Sequence, residues 1–304
     1  MQADLLPATA PLLSPAWLLF FYCVLVMAAS LAGGWLLLLI HLNHTRLQMA
    51  VSFVAGLMLG IALLHFLPDA NAHLGSLDKT VNWLLGGFLA MFFVQRFFHF
   101  HHHDLPEGDP EDCCAHDHPH AAKPEPEPPQ AHDLEHIHHA HTLADKSAQQ
   151  LSWVGTVLGL TLHSLLDGLA LAAAVAAGAQ GREMLAGLGV ALVVILHKPF
   201  DAMAVSTLMA AGGSSRASRH VLNGLFALAS PLGAALFYLG GSLWMMDASV
   251  LGGALAFCAG SFLCIASSDL LPELQFHSHD RFKLSSMLLA GLAVAILIKQ
   301  IEAG

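Results

Sequence analysis

The sequence contains eight apolar runs that are each long enough to cross a lipid bilayer. A transmembrane helix needs about 20 consecutive apolar residues. With 56 % hydrophobic and 11 % charged residues, the chain is too apolar for an ordinary soluble domain. The sequence therefore predicts an all-α integral membrane protein with eight transmembrane helices, at approximately 17–40, 49–68, 80–98, 151–178, 184–211, 220–242, 249–272 and 284–302.

The distribution of Lys and Arg between the loops predicts the orientation of these spans. Loops on one side of the membrane carry eight Lys and Arg residues, and loops on the other side carry three. Cytoplasmic loops are enriched in positive residues. We therefore expect both termini to lie outside and the segment after the third span to lie in the cytoplasm.

Residues 99–150 differ in composition from the rest of the chain. They hold twelve of the 21 histidines and eleven of the 22 acidic residues, together with many prolines. Because too few apolar side chains are present to offset the entropy of ordering this segment, we predict a disordered cytoplasmic loop. The predicted organisation is thus 1–98 with an N-terminal tail and spans 1 to 3, the loop 99–150, and 151–304 with spans 4 to 8.

Two consecutive spans carry the same pair of ionisable residues. Span 4 contains "HSLLDG" and span 5 contains "HKPFDA", so each has a His followed four residues later by an Asp. Residues i and i+4 lie on one face of a helix, and intramembrane charges are costly enough to mark functional sites. One such pair alone would more often brace helix packing by a hydrogen bond. Two pairs in consecutive spans favour a metal site formed by His163, Asp167, His197 and Asp201, which suits Zn²⁺ and other first-row divalent cations.

Two more residues of the span 5 motif affect this predicted site. Pro199 cannot donate to the carbonyl of Ile195, so we expect a freed oxygen and a kink there. Lys198 lies three residues before Asp201. It either neutralises an aspartate in an ion pair or occupies the place of a second cation, and the two interpretations are compatible.

These motifs resemble the paired helix-borne motifs of the ZIP family of divalent-metal transporters. The likeness extends to "FVAGLMLGIALLHFLPDA" in span 2, "ASPLGAALFY" in span 6, "FLCIASSDLLPEL" in span 7 and the long histidine-rich loop after span 3. The resemblance implies an eight-helix fold in which spans 1–3 and 6–8 form an inverted repeat around a central helix pair, spans 4 and 5. It also implies that the His and Asp residues of the two motifs form the transport site.

The sequence departs from the family pattern at that site. Its carboxylates are aspartates where the family usually has glutamates. Lys198, Ser164 and Ser230 stand where members with a binuclear site have a carboxylate, an asparagine and an acid. The chain thus resembles bacterial members with a lysine in the fifth-span motif, and we expect a mononuclear site.

Polar residues near the ends of spans 2 and 7 are expected to lie close to the metal pathway. His65 and Asp69 have the spacing i, i+4, as do Asp269 and Glu273, and each pair lies beside a Leu-Pro-acid corner whose proline frees a carbonyl. The resemblance places Met58, His65 and Asp269 along the pathway. A packing histidine held by hydrogen bonds is the alternative for His65.

The histidine clusters of the loop are weak, flexible metal chelators. We expect them to capture metal that emerges into the cytoplasm or to sense its level, and solvated filler is the alternative. The histidines concerned are His101, His102, His103, His116, His118, His120, His136, His138, His139 and His141.

The predicted function is uptake of divalent transition-metal ions across a bacterial inner membrane by alternating access. Zn²⁺ is the expected substrate, and Cd²⁺, Fe²⁺, Mn²⁺ and Co²⁺ are possible ones. The resemblance implies an elevator-like movement of spans 1, 4, 5 and 6 against spans 2, 3, 7 and 8, in a homodimer. Metal ions and the lipid bilayer are the expected partners, and we expect no enzymatic activity, organic cofactor or nucleic acid.

Two alternative functions stay open. Zinc exporters of the cation diffusion facilitator type also use H-x-x-x-D pairs, but they have six spans and their paired helices are not consecutive. An intramembrane zinc hydrolase would need an open coordination position and a general base, and no H-E-x-x-H motif is present.

Overall fold

A computed structural model describes residues 14–39, 44–98, 135–181, 183, 185–211, 213–243, 247–270 and 281–303. These residues are almost entirely helical and include no strand. Among them, eight helical stretches are long and apolar enough to cross a membrane. The predicted fold class and number of spans are therefore confirmed.

The first four spans are formed by α1 (Pro15–Leu39), by α2 (His44–Ile61) together with α3 (Leu67–Leu74), by α4 (Leu77–Phe98) and by α5 (Glu135–Gln180). The last four are formed by α6 (Leu188–Ala211), by α7 (Arg216–Ala227) together with α8 (Ala229–Leu243), by α9 (Ala248–Ile265) and by α10 (Arg281–Ala303).

Helix α5 begins well before the predicted fourth span. Residues 135–150, which the composition places in a disordered loop, form the first turns of this helix. This segment has no proline and contains Ala, Leu, Gln, Glu and Lys, which favour helices, whereas every proline of the predicted loop lies between 106 and 129. The structure thus has a helix over 135–150 where the composition predicts a disordered loop, and residues 99–134 lie outside the described part of the chain.

Spans 2 and 7 each contain one wide, π-helical turn. It comprises Ala62–Phe66 between α2 and α3, and Ala266–Leu270 directly after α9. Pro68 follows the first of these turns and lacks the N–H that would bond the carbonyl of Leu64. The ammonium of Lys299 in α10 donates to that carbonyl instead. The irregular part of span 2 is therefore bonded to span 8.

The helices pack in four close pairs, which are α2 with α10, α4 with α9, α5 with α8 and α1 with α6. Glycines permit the close approach. A Cβ atom added at Gly56 would collide with the backbone of Leu288 in α10, and one at Gly87 would collide with the backbone of Phe257 in α9. Small residues at such contacts are typical of membrane helix pairs.

Helix α6 continues through its internal proline. Pro199 lies between Leu188 and Ala211 without ending the helix. Gly33 of α1 lies directly against the backbone of Pro199, so α1 supports α6 at this level. The residues on either side of Pro199 are those of the span 5 motif.

Candidate metal centre

The four predicted ligands meet between α5 and α6. His163 and Asp167 lie one turn apart on α5, and His197 and Asp201 lie one turn apart on α6. Each residue offers one ligand atom, and these four atoms all lie within 4.8 Å of one another. The structure thus brings the two H-x-x-x-D motifs together into one cluster.

Each imidazole of this cluster faces both carboxylates. Nε2 of His163 is 3.6 Å from Oδ2 of Asp167 and 3.5 Å from Oδ2 of Asp201. Nε2 of His197 is 3.3 Å and 3.9 Å from the same two oxygens. This arrangement has the donor atoms of one tetrahedral site rather than of two separate ion pairs.

The cluster is buried, and some of its polar atoms have no partner among the described residues. His163, Asp167 and His197 are at most 5 % exposed, and the side chain of Asp201 is 15 % exposed. Within the described part of the chain, Nδ1 of His163, Oδ1 of Asp167 and Oδ2 of Asp201 have no hydrogen-bond partner. Because buried polar atoms are normally paired, unpaired carboxylate oxygens beside two imidazoles fit a site that binds a cation.

A backbone hydrogen bond fixes the orientation of one imidazole. Nδ1 of His197 donates to the carbonyl of Val193, one turn earlier in α6, over 2.9 Å. The proton on Nδ1 leaves the lone pair of Nε2 directed at the cluster. Outer-shell bonds of this kind hold metal-binding histidines in the required tautomer.

Lys198 is fully buried and bonded to the opposite helix. Its ammonium donates to Oδ2 of Asp167 and to the hydroxyl of Ser164, each over 2.7 Å. The expected contact with Asp201 is longer, at 3.8 Å. The lysine therefore neutralises chiefly the aspartate of α5, and it lies on the side of the cluster occupied by Ser164.

Ser230 lies beside this cluster on α8. The backbone of Ser230 packs against Gly168, which follows Asp167 in α5. Its hydroxyl is buried and has no hydrogen-bond partner among the described residues. Ser230 thus lies close to the cluster, and it offers a hydroxyl rather than a carboxylate.

A cavity of about 90 Å³ adjoins the cluster. Met58 of α2 lines it together with His163, His197 and Asp201, and Gln95 of α4 lies further along. The other lining residues come from the first half of span 2, the second half of α4, the first part of span 4, the middle of α6 and the last residue of α9. The cavity therefore extends toward the membrane face that holds the Lys- and Arg-rich loops.

His65 lies on the other side of the cluster, and both of its ring nitrogens are engaged. Nε2 is 2.9 Å from the carbonyl of Ala295, and Nδ1 is 2.9 Å from Oε2 of Glu302. Oε1 of Glu302 accepts from the backbone N–H of Gly189 over 3.1 Å. His65 thus joins span 2 to span 8, which is the geometry of the hydrogen-bonded alternative for this residue.

Asp69 lies in a separate cavity of about 380 Å³, which it lines together with His73 and Glu183 at the ends of spans 2 and 4. His65, which lies four residues before Asp69, contacts Glu302 and Ala295. Burial, and then the nearby carboxylates of Glu302 and Asp69, raise the pKa of Glu183 to about 7. This cavity is therefore acidic.

Several predicted residues lie outside what the structure describes. Asp269 belongs to the π-helical turn after α9, but its side chain and Glu273 are outside the description. The loop histidines His101, His102, His103, His116, His118 and His120 lie outside it as well. His136, His138, His139 and His141 lie in the first turns of α5, and their side chains are not among the described ones.

Sequence reasoning missed Gln95, Lys299 and Glu302. Gln95 lines the cavity beside the cluster, and its Oε1 accepts hydrogen bonds from Cys264 and Ser268 of span 7. None of the three belongs to a spaced motif. An isolated polar residue in or at the end of an apolar run was the one available signal.

The fold and the cluster together define a polytopic helical membrane protein with a metal-binding group buried between two adjacent spans. The family described as ZIP Zinc transporter matches residues 16–299 of the chain. The chain therefore belongs to this family, which is a family of transporters and not of enzymes.

Individual relatives match over shorter stretches. The zinc transporter ZIP9-B of Xenopus laevis is 29 % identical over 168 residues, which cover 53 % of this chain and 54 % of the relative. The zinc transporter ZIP9 of Micropogonias undulatus is 36 % identical over 148 residues, covering 47 % and 46 %. The chain thus spans about half the length of the curated relatives it matches.

Proposed function

We propose that this protein transports divalent transition-metal ions, with Zn²⁺ as its substrate, through a site formed by His163, Asp167, His197 and Asp201. The observation that carries the proposal is the convergence of these four ligand atoms within 4.8 Å between two membrane helices. Imidazole and carboxylate are ligands that Zn²⁺ accepts in tetrahedral geometry. The relatives named above are zinc transporters. The same imidazole and carboxylate ligands also accept Cd²⁺, Fe²⁺, Mn²⁺ and Co²⁺, so we propose these ions as further possible substrates.

The site is proposed to hold one metal ion. The ammonium of Lys198 lies 2.7 Å from Asp167, on the side where Ser164 also contributes a hydroxyl. A second divalent cation on that side would meet a fixed positive charge. In a buried site, the Coulomb repulsion between this ammonium and a metal ion a few ångströms away is large compared with the thermal energy.

The direction proposed is uptake toward the cytoplasm. The cavity beside the cluster extends toward the face with most Lys and Arg residues, which the positive-inside rule places in the cytoplasm. On the opposite side, His65, Glu302 and Gly189 are bonded to one another across three spans. We therefore propose an inward-facing state with both termini outside, in a bacterial inner (cytoplasmic) membrane.

Helix pairing supports the inverted repeat and the elevator-like movement. If span 1 corresponds to span 6, span 2 to span 7, span 3 to span 8 and span 4 to span 5, the pair α2–α10 maps onto α4–α9. The pair α1–α6 likewise maps onto α5–α8. The π-helical turns of spans 2 and 7 occupy corresponding places.

These close pairs also divide the helices into two groups. Spans 1, 4, 5 and 6 pack mainly with one another, and spans 2, 3, 7 and 8 do the same. We propose that the first group carries the metal and moves against the second. The homodimer and metal capture by the loop histidines stay predictions from the sequence and the resemblance.

The two alternative functions fit the structure less well. The paired helices are consecutive and lie among eight spans, unlike those of the exporter type. In a hydrolase, a metal-bound water would need an open position and a base. Here four protein ligands lie together, and the ammonium of Lys198, which is bonded to Asp167, is a donor and not a base.

Metal uptake into proteoliposomes tests the proposal. In the variant Asp201→Asn we expect loss of Zn²⁺ uptake, and in Asp78→Asn, which changes an exposed aspartate at the start of α4, we expect uptake as in the unchanged protein. Equal uptake in all three proteins would exclude transport through this site. Hydrolysis of a peptide substrate without metal flux would favour the hydrolase.

A further inference from the structure

A second cavity, away from the metal centre, is lined by basic and polar side chains. Its volume is about 320 Å³, within the range of about 300 to 1,000 Å³ that is usual for ligand sites. It lies between the last turns of α6 and the first turns of α7, and Gly34 of α1 closes part of it. None of its lining residues belongs to the metal cluster.

The cavity is positively charged. Arg216, Arg219 and His220 line it from the beginning of α7, and the hydroxyl-bearing residues Ser206 and Thr207 line it from α6. No Asp or Glu of the described residues is part of its lining. The first turn of α7 adds the positive end of a helix dipole, which also favours a bound anion.

Two of its residues have buried polar atoms that no described protein group satisfies. Asn223 is 3 % exposed, and its Oδ1 has no hydrogen-bond partner among the described residues. The buried Nε of Arg219 has none there either. A guanidinium can only donate, and a side-chain amide can donate after rotating by half a turn. Both residues can therefore donate to an acceptor placed in the cavity.

An apolar surface begins next to these groups. Val221, Leu225, Leu228 and Leu232 are each more than half exposed. Their spacing of three or four residues places them on one face of α7 and α8. A phospholipid whose phosphate lies in the cavity can lay its acyl chains along this face. Basic pockets between spans on the cytoplasmic side are typical sites for anionic headgroups.

We propose that this cavity binds the phosphate of an anionic membrane phospholipid through Arg216, Arg219 and Asn223. A free phosphate ion offers the same acceptor atoms, and the acyl chains distinguish the two sources. The proposal does not depend on metal transport, because the cavity shares no residue with the metal centre.

Thermal unfolding of the purified full-length protein in detergent tests the proposal. We expect phosphatidylglycerol to raise the melting temperature by at least about 2 °C and phosphatidylcholine to leave it unchanged. In the double variant Arg216→Gln/Arg219→Gln, the apparent affinity for phosphatidylglycerol should fall by about tenfold or more, since each basic residue contributes to the attraction. Arg46→Gln/Arg281→Gln removes the same charge from residues outside the cavity and should keep the affinity.

Each outcome decides the proposal. An equal loss in both double variants, or no response of the unchanged protein to phosphatidylglycerol, would overturn it, because the attraction would then be general or absent. If inorganic phosphate alone gives the full rise, the site binds free phosphate, and the lipid assignment is wrong. Arg219→Gln alone, with an expected loss of about fivefold, serves if the double variant does not fold.

Discussion

The ammonium of Lys198 lies 2.7 Å from Oδ2 of Asp167, which is on the neighbouring helix. The same carboxylate oxygen is 3.3 Å from Nε2 of His197. One aspartate is therefore shared between a fixed cation and the cluster of metal ligands. The lysine supplies part of the positive charge that a second metal ion would otherwise supply.

This shared aspartate makes Lys198 a determinant of metal stoichiometry. We expect Lys198→Asp to bind one more Zn²⁺ per chain than the unchanged protein, because it adds a carboxylate where a positive charge stood. Lys198→Met is the control, since it removes the charge without adding a ligand, and its count should not rise. The number of Zn²⁺ ions per chain is measured as the metal content after gel filtration. Zn²⁺ bound by the loop histidines is the same in all three proteins and therefore cancels in the comparison. A rise in the Met variant, or none in the Asp variant, would contradict the assignment.

Lys198→Met should also be less stable than the unchanged protein when no metal is present. Removing one member of a buried ion pair leaves the other charge uncompensated and costs about 3 to 5 kcal/mol. Zn²⁺ restores countercharge to Asp167, so saturating Zn²⁺ should recover part of the loss. Chemical unfolding with and without Zn²⁺ measures both effects, and a loss that Zn²⁺ leaves unchanged would mean that Asp167 does not bind it.

The carboxylates of the cluster should be required for affinity. Loss even of an outer-shell partner typically weakens metal binding by about 10- to 100-fold, so Asp201→Asn, which changes a ligand, should weaken Zn²⁺ binding by at least about 100-fold. Asp78→Asn, at the exposed start of α4, should leave it unchanged. Competition with a fluorescent zinc chelator provides the measurement, and similar constants for both variants would place the ion elsewhere.

The sequence predicted the spans and the four clustered residues because both depend on local patterns. Apolar length identifies a span, and the spacing i, i+4 places His and Asp on one helical face. It left open which of the two aspartates pairs with Lys198, since Asp167 is distant in sequence. Which residue faces which across two helices depends on their rotation and packing, and no spacing within one helix reports it.

The contacts of Glu302 could not be predicted from the sequence, because they also depend on how separate helices pack. This residue lies near the end of the last helix, and its partners His65 and Gly189 come from spans 2 and 5. The π-helical turn at Ala62–Phe66 interrupts the regular α-helix of span 2, and His65, which lies in it, contacts span 8. Composition likewise failed to separate the proline-rich part of the loop from the helical residues 135–150.

Glu183 should make stability depend on pH. Its pKa is raised from 4.5 to about 7, so the folded state holds a proton that the unfolded state releases earlier. Its stabilising contribution is fully present below about pH 4.5 and is lost as the pH rises through about 7. Glu183→Gln should therefore be more stable relative to the unchanged protein at pH 8 than at pH 4.5. Melting temperatures at both pH values test this, with Asp78→Asn as the control for a surface acid, and a difference independent of pH would contradict it.

Glu302 should protect the start of α6 from opening. The N–H of Gly189 lies in the first turn of that helix, where no helical carbonyl is available to it, and Oε1 of Glu302 accepts its hydrogen bond over 3.1 Å. Glu302→Ala removes this acceptor and the contact with His65, and we expect hydrogen exchange at Gly189 to become about tenfold faster, as for the loss of one net hydrogen bond. Glu302→Gln is the matched control, because its amide oxygen can still accept from Gly189 while the charge opposite His65 is gone. Exchange measured by mass spectrometry on peptides covering the first turn of α6 should rank the proteins as unchanged, then Gln, then Ala. If the Gln and Ala variants exchange equally fast, the charge contact with His65 rather than the bond to Gly189 holds the outer ends of spans 2, 5 and 8 together.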